Sequence, residues 1–221
     1  MINYTEERIL SFFESLSPEM PKELYEFEQN EIKNHIPIIR KEAQSFLRFL
    51  FAVKTPKRIL ELGTATGFSA VFMKSLLPSE TYFRTVERNE ERRNQALYNI
   101  KRFEIENIDS VLGDCFEEIE SLKNKNEKFD FIFLDAAKAQ YINLLPGILE
   151  ILEDNGVLLT DNILQEGSLL DSKFIIERRD RTIHIRMREY LQAITHNDLL
   201  DTTLFPLADG IALSIKKKKQ C

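Results

Sequence analysis

The stretch that decides the fold is Phe129-Asp130-Phe131-Ile132-Phe133-Leu134-Asp135-Ala136-Ala137-Lys138. Its apolar run, rich in Phe and Ile, predicts a strand that is buried on both faces. Asp135 is the first polar residue after this run, so it lies at the carboxyl end of the strand, where open α/β sheets bind ligands. Lys138 follows three residues later, and its side chain can therefore point at the same crevice.

A second polar pair, Asp161-Asn162, follows the next apolar run, residues 157–160. Two adjacent strands would then bring two carboxylates and one amide oxygen to the same place. An all-oxygen set of this kind suits a hard divalent cation such as Mg²⁺. Each residue alone has an ordinary explanation: Asp135 could cap a helix, Lys138 could be solvated, and Asp161-Asn162 could start a turn.

The pattern around these strands alternates short apolar runs with amphipathic segments, which predicts an α/β fold with a doubly wound, mostly parallel sheet. A later helix and two further strands joined by a tight turn predict an antiparallel hairpin at the far edge, making seven strands. The predicted strands are 59–62, 82–86, 108–112, 129–134, 157–160, 201–205 and 211–215, and the predicted helices are 41–53, 68–77, 90–103, 116–123, 140–152 and 174–194.

The N-terminal segment has a different character. Ile9, Phe12, Phe13 and Leu16 recur at helical spacing and form one apolar stripe. Residues 1–31 contain eight acids and two bases, so this part accounts for the whole net charge of −6, while the remaining 190 residues balance 28 bases against 28 acids. We predict a helical arm over residues 1–35 and one α/β domain over residues 36–221.

The bulk properties exclude several classes of protein. A chain of 221 residues has room for one domain with a full core. No apolar run approaches the roughly 18–20 residues of a membrane span, and the first residues lack the pattern of a signal peptide, so we expect a cytoplasmic protein. Cys115 and Cys221 have neither disulfide nor zinc spacing.

A cofactor site is indicated at the ends of the first three strands. Glu61-Leu62-Gly63-Thr64-Ala65-Thr66-Gly67-Phe68-Ser69 is neither a G-x-G-x-x-G fingerprint nor a phosphate loop, and a plain tight turn would also explain it. Glu87, at the end of the second strand, is placed to accept hydrogen bonds from two ribose hydroxyls. Gly113-Asp114 ends the third strand, where an acid can meet an adenine amino group.

Together these residues resemble the cation-dependent class I O-methyltransferases that use S-adenosylmethionine, the group of catechol and caffeoyl-CoA O-methyltransferases. The resemblance covers about residues 36–217, and Asp135-x-x-Lys138 with Asp161-Asn162 is its specific part. Ala137 departs from members that have a second acid there, which leaves less negative charge near the metal. The contacts to S-adenosylmethionine that the resemblance implies are Ile38, Glu61, Gly63, Thr64, Ser69, Glu87, Asp114, Cys115 and Asp135.

Within this family the sequence is most similar to bacterial tRNA 5-hydroxyuridine methyltransferases. The residues that carry this likeness are Pro37-Ile38, residues 135–138, residues 160–164 and residues 206–217. The family resemblance also implies a Rossmann-like methyltransferase fold and a homodimer. We expect the apolar stripe of the arm to form part of the dimer contact.

The implied reaction moves a methyl group from a sulfonium to a hydroxyl oxygen by in-line displacement. Mg²⁺ held by Asp135, Asp161 and Asn162 would bind the acceptor oxygen and lower its pKa. Catechol and 5-hydroxyuridine both offer two adjacent oxygens that could fill two metal positions. Lys138 and Asp135 are the predicted catalytic residues, and Lys138 could take the hydroxyl proton if the cation and burial depress its pKa.

The acceptor that we predict first is 5-hydroxyuridine in the tRNA anticodon loop. Residues 178–188 contain five arginines and one acid, and a basic face beside the site is typical of RNA binding, which predicts tRNA contacts from Arg178, Arg179, Arg181 and Arg186. A solvated helix face paired with Glu177 and Glu189 explains the same residues. Two alternatives remain: a small catechol-like or hydroxycinnamoyl acceptor, and a non-catalytic S-adenosylmethionine-binding module, which would be indifferent to chelator.

Overall fold

The structure is a computed structural model and describes residues 6–172 and 174–218. The helices in these residues are α1 (Glu6–Leu16), α2 (Lys22–Lys33), α3 (Lys41–Val53), α4 (Phe68–Ser75), α5 (Glu90–Arg102), α6 (Cys115–Asn124), α7 (Tyr141–Ile151) and α8 (Arg181–Thr195). The strands are β1 (Arg58–Leu62), β2 (Tyr82–Glu87), β3 (Ile108–Leu112), β4 (Phe129–Leu134), β5 (Leu152–Thr160), β6 (Leu200–Phe205) and β7 (Ile211–Lys216).

One seven-stranded sheet has the strand order β3-β2-β1-β4-β5-β7-β6. β1 to β5 are parallel, and β7 lies antiparallel between β5 and the edge strand β6. The predicted α/β class and the antiparallel hairpin are therefore confirmed. The strand order reverses between β1 and β4, which opens a crevice at their carboxyl ends.

Two apolar layers cover the sheet, because successive residues of a strand point to opposite faces. On one side Leu60, Ile132 and Leu158 pack in a core with α6, α7 and α8. On the other side Ile59 and Phe131 pack in a second core with α2, α3 and α4. A strand with apolar residues in both sets reads as a continuous apolar run, which is why β4 was the clearest strand in the sequence.

Several helices begin at residues whose chemistry favours a helix start. The Asn89 side chain accepts a hydrogen bond from the Arg92 N–H at 2.9 Å and caps α5. The Asp114 carboxylate accepts one from the Phe116 N–H at 2.8 Å and caps α6. A cap of this kind is worth about 1 kcal/mol. Asp114 therefore stabilises the start of α6 besides any role in binding.

Two predicted elements differ from the structure by more than two residues at one end. The predicted helix over residues 174–194 begins only at Arg181, and residues 174–180 form turns. Ile176 is buried, but its neighbours Phe174 and Ile175 are 79 % and 75 % exposed, so the segment does not bury a continuous apolar face. β5 begins at Leu152, earlier than predicted, because the exposed residues before Val157 extend it through an irregular register.

The N-terminal arm has two different parts. α1 is helical as predicted, and its stripe is exposed, from 40 % at Ile9 to 68 % at Leu16. α2 instead packs against the domain, with Leu24 and Phe27 buried in the second core. No helix of the described residues is long and apolar enough to cross a bilayer.

Polar contacts also hold α2 in place. The buried carboxylate of Glu28 accepts hydrogen bonds from the ammonium of Lys41 and from the amide of Gln44, the latter at 2.7 Å. Glu31 accepts a hydrogen bond from the hydroxyl of Thr66. Two of the arm's acids are therefore used inside the molecule, and its acidic charge is not all presented to solvent.

Candidate active site

The carboxyl ends of β4 and β5 bring Asp135 and Asp161 side by side. Leu134 and Thr160 are register partners, so the two aspartates occupy equivalent positions one residue further on. The Asp161 N–H donates to the Leu134 carbonyl at 3.1 Å and continues the pairing. Neighbouring strands lie about 4.8 Å apart, and the two carboxylates therefore share one end of the crevice.

The electrostatics of this pair favour a cation. Burial raises the pKa of Asp135, and the charge of Lys138 works against that rise. Burial and the neighbouring Asp135 charge raise the pKa of Asp161. Two buried like charges repel each other, and a bound cation would relieve that repulsion. Lys138 lies in a short 3₁₀ turn, Lys138–Gln140, directly after Asp135 and its two alanines.

The donor set at this edge suits a hard divalent cation. It comprises two carboxylates and the amide of Asn162, a residue with a φ of 54°. Among the described residues there is no group of three or more His, Cys, Asp or Glu side chains that could hold a metal ion. The predicted ligand set has only two such residues, so the third protein donor here would be an amide oxygen.

The β1–α4 turn lies against the end of β4. The Asp135 N–H donates to the Leu62 carbonyl at 3.0 Å. Gly63 has a φ of 107°, and a Cβ there would lie 2.1 Å from the Asp135 carbonyl oxygen. The neighbouring backbone of Asp135 therefore requires a glycine at this position.

Glu61 is the centre of a buried network under this turn. Its carboxylate accepts hydrogen bonds from the hydroxyls of Ser69 and Thr85, each at 2.5 Å. The hydroxyls of Thr64 and Thr85 are also hydrogen-bonded to each other. Burial raises the pKa of Glu61 to about 7, although both hydroxyl donors lower it. Sequence reasoning missed Thr85, because a threonine in the middle of a strand carries no functional signal.

Glu87 holds the other side of the turn. One carboxylate oxygen accepts a hydrogen bond from the Ala65 N–H and the other from the Asn89 N–H, both at 2.9 Å. Each oxygen keeps a further lone pair, so the residue can still accept from two hydroxyls. This geometry suits a ribose, and the residues at the strand end therefore fit a nucleoside cofactor.

The remaining predicted cofactor residues lie in two places: Asp114 and Cys115 follow β3, and Ile38 precedes α3. Asp114 is exposed, and Cys115 follows it as the first residue of α6. Burial raises the pKa of the Cys115 thiol to about 12, so it stays protonated at neutral pH. Ile38 is half-buried in the segment before α3, and the Gln44 amide fixes this segment by donating to the Ile39 carbonyl at 3.0 Å.

A groove of about 880 Å³ lies elsewhere, between α2 and α5. Phe27, Glu31, Asn99 and Tyr98 are among its lining residues. Thr66 of the β1–α4 turn also lines it, but none of the residues predicted to bind cofactor, metal or substrate does. The groove is therefore not part of the predicted site.

The arginines of residues 178–188 are used mainly within the molecule. Arg181 donates to the Ile176 carbonyl at 3.0 Å and Arg186 to the Ala139 carbonyl at 3.1 Å. Arg188 donates to the Leu169 and Asp171 carbonyls at 2.7 and 3.1 Å. The contacts of Arg186 and Arg188 connect α8 to the segment after Asp135 and to the segment after Asn162.

The first two arginines differ from the others. Arg179 is exposed and pairs with Glu177 at 3.0 Å and with Asp180 at 3.4 Å. Arg178 is exposed and makes no hydrogen bond or ion pair with the part of the chain that the structure describes. Only these two of the four arginines predicted to meet RNA present their charge to solvent without bonding a main-chain carbonyl.

Comparison with known proteins places the chain among O-methyltransferases. The O-methyltransferase family model matches residues 13–217. Caffeoyl-CoA O-methyltransferase 1 of Eucalyptus globulus is 27 % identical over 205 residues, covering 89 % of this chain and 81 % of its own.

Solved structures show the same fold. A protein from Staphylococcus aureus, provisionally named a caffeoyl-CoA O-methyltransferase, is 25 % identical, with a TM-score of 0.83 over 95 % of this chain and 98 % of its own. An O-methyltransferase from Bacillus cereus in complex with SAH is 22 % identical, with a TM-score of 0.81 over 94 % and 96 %.

The chain belongs to the O-methyltransferase family, since that family's model matches most of its length. The predicted enzyme class is confirmed, and the alternative of a non-catalytic module is not retained. Cation dependence, the tRNA acceptor and the homodimer stay predictions.

Proposed function

We propose that the protein transfers a methyl group from S-adenosylmethionine to a hydroxyl oxygen of an acceptor that chelates a divalent cation through two adjacent oxygens. The observation that carries this proposal is the pair Asp135 and Asp161 at register-matched strand ends, with Asn162 and Lys138 beside them. The family, and the SAH complex of the Bacillus cereus relative, support the methyl donor.

The residues divide the work between two halves of the crevice. Glu87 and Asp114 would accept hydrogen bonds from the ribose and the adenine, and the buried carboxylate of Glu61 places negative charge near a cationic sulfonium. Asp135, Asp161 and Asn162 would hold a divalent cation, which when bound supplies the Lewis acidity that lowers the pKa of a hydroxyl. Lys138 would orient the acceptor hydroxyl, and only its neutral amine form would receive the hydroxyl proton.

Alignment of the two halves is the main contribution of the chain itself. The proposed donor and acceptor sites would meet where the turn at Gly63 lies against the Asp135 backbone, so directly connected elements would hold the methyl group and the acceptor oxygen. Holding two reactants in line removes most of the entropy cost of their encounter.

Two acceptors carry the required pair of oxygens. A small catechol-like or hydroxycinnamoyl molecule is favoured by the names of the relatives and by the internal contacts of Arg186 and Arg188. 5-Hydroxyuridine in the tRNA anticodon loop is favoured by the exposed charges of Arg178 and Arg179. We rank the small acceptor first, because most of the arginine segment is already committed to carbonyl groups.

Methyl incorporation from labelled S-adenosylmethionine tests the proposal. Undermethylated tRNA and a simple catechol are offered separately, each with Mg²⁺ or with chelator. We expect label in one acceptor, lost with chelator and lost in Asp161→Asn. The control Asp130→Asn, at the opposite end of β4, should keep the activity. Label that persists in chelator would refute cation dependence.

Arg178→Ala separates the two acceptors. If tRNA is the acceptor, this variant should lower tRNA methylation and reduce the salt dependence of tRNA binding, since one phosphate contact is lost. If the acceptor is small, the variant should leave the rate unchanged. Lack of any effect on tRNA methylation would remove the support that this segment gives to the RNA acceptor.

We also propose that the protein is a homodimer and that the stripe of α1 joins two copies. Ile9, Phe12, Phe13 and Leu16 form one exposed apolar face on a single helix. Exposed apolar patches of this kind mark protein interaction sites. A symmetric contact would place the same stripe of both copies face to face.

A further inference from the structure

The loop that follows β5, which begins with the predicted metal ligands Asp161 and Asn162, has an unusual backbone. Asn162, Gln165 and Glu166 all have φ values between 53° and 54°, and Gly167 follows with 80°. Left-handed conformations cost non-glycine residues about 1 kcal/mol or more each. Three such residues within five positions, starting at a predicted metal ligand, require an outside element that holds the loop in this shape.

The loop between β6 and β7 supplies that element. The Ile163 N–H donates to the Gly210 carbonyl at 3.1 Å, and the Leu164 N–H to the Asp209 carbonyl at 2.8 Å. These two bonds extend the antiparallel pairing of β5 and β7 past the last register pair, Thr160 with Ala212. The metal-side loop is thus tied to the hairpin by main-chain bonds on the residues that follow Asn162.

Asp209 adds a side-chain bond at the most strained part of the loop. Its carboxylate accepts a hydrogen bond from the Glu166 N–H at 2.7 Å, and the residue is only 6 % exposed. Gly210 beside it has a φ of 81°, and a Cβ there would lie 2.6 Å from Leu164 and 2.8 Å from Ile163. The hairpin loop therefore lies in direct contact with the loop that it holds.

We propose that Asp209 is a positioning residue for the cation site: its bond to the Glu166 N–H holds the 162–167 loop so that the Asn162 amide faces Asp135 and Asp161. This inference rests on the proposed cation-dependent function. Asp209 itself is not a ligand in this scheme, because its carboxylate is directed to the backbone of the loop. It acts through Asn162.

A charge effect is the competing explanation, since the charge of Asp209 also raises the pKa of Asp161. Asp209→Asn distinguishes the two. Asparagine keeps an oxygen that can accept from the Glu166 N–H, but it removes the charge. Asp209→Ala removes both. Asp130→Asn and Asp130→Ala are matched controls, because Asp130 accepts bonds from the Lys57 and Arg58 N–H groups at the far end of β4.

Binding of Mn²⁺ alone, followed by calorimetry, gives a readout that does not depend on activity. We expect Asp209→Ala to weaken Mn²⁺ binding roughly tenfold or more, as is typical when the partner that orients a ligand is lost. Asp209→Asn should bind Mn²⁺ nearly as the parent protein does, and both Asp130 variants should bind it unchanged. Binding of SAH, measured in the same proteins, should be the same in all of them.

The outcomes separate the inference from the proposed function. If the parent protein does not bind Mn²⁺, the proposed cation site is wrong. If the parent binds Mn²⁺ and Asp209→Ala binds it equally well, the positioning role is wrong. An equal loss in Asp209→Asn and Asp209→Ala would also overturn it, because the charge would then be what matters. Circular dichroism and the thermal midpoint in chelator establish that each variant is folded.

Discussion

At the scale of one residue, the buried carboxyl group of Glu61 makes the stability of the folded protein depend on pH. It is fully buried, and its pKa is raised from the ordinary 4.5 to about 7 mainly by burial. Between these two values the folded protein holds a proton that the unfolded chain has released. Stability from this group is therefore present at low pH and declines as the pH rises from about 4.5 to 7.

Glu61→Gln should remove this part of the pH dependence. The effect is at most about 3 kcal/mol, since each pKa unit is worth about 1.36 kcal/mol, and hydroxyl reorientation will reduce it. Urea unfolding at pH 5 and pH 8 measures it: the parent should lose more stability between the two than the variant. The exposed Glu153→Gln is the control. Parallel curves for parent and Glu61→Gln would contradict the prediction.

Gly63 and Gly167 offer a second comparison between single residues. Both have positive φ values, 107° and 80°, but only Gly63 has the Asp135 carbonyl where a Cβ would stand. Gly167→Ala should cost about 1 kcal/mol from the backbone alone. Gly63→Ala should cost clearly more and should also weaken SAH binding, because the turn must move. Thermal unfolding and SAH titration test this, and equal losses in both variants would refute it.

At the scale of elements, α8 stabilises the segments around the site, because its arginines donate hydrogen bonds to main-chain carbonyls of those segments. Arg186 connects it to the turn that carries Lys138, and Arg188 connects it to the loop after Asn162. These elements arise from separate segments of the chain. The same arginines therefore contribute to the order of the site whatever the acceptor is.

Arg188→Ala should weaken the attachment of α8 to the loop at Leu169 and Asp171. Losing two bonds from a charged donor to main-chain carbonyls should cost roughly 1 kcal/mol, since the residue is exposed. Amide hydrogen exchange should speed up in residues 165–172. Arg178→Ala, which removes an equally charged side chain without such bonds, should change neither quantity. Unaltered exchange in Arg188→Ala would mean that the loop is held by other contacts alone.

The sequence predicted elements best where burial is two-sided or where a helix is capped. β4 has the predicted bounds, because its buried apolar run ends sharply at Asp135. The edge strand β3 has no buried residue, and its predicted bounds agree because Gly113 follows it directly. Residues 174–180 were assigned to a helix because their apolar and basic residues imitate helical spacing. The carbonyl partners of Arg186 and Arg188 could not be foreseen, because the segments they join are distant in sequence and local patterns carry no such information.

At the scale of the whole molecule, the exposed stripe of α1 is the feature that a single copy leaves uncovered. Phe12→Glu with Phe13→Glu should abolish a dimer, since burying two charges in an apolar contact is costly. Ser11→Glu, on the opposite face of α1, is the control. Light scattering at several protein concentrations measures the mass. A stable dimer in the double variant, or after deletion of the arm, would refute the assignment.

The place of β7 has a consequence for how the protein is made. β7 follows β1 to β6 in the described part of the chain and leaves the ribosome after them, yet it pairs with β5 in the interior of the sheet. Until residue 216 has emerged, a nascent chain that has already assembled β1 to β5 carries an open apolar edge at Val157 and Leu159. Such an edge invites association with other chains. Synthesis of this protein therefore passes through a vulnerable interval, during which a chaperone has a defined strand to protect.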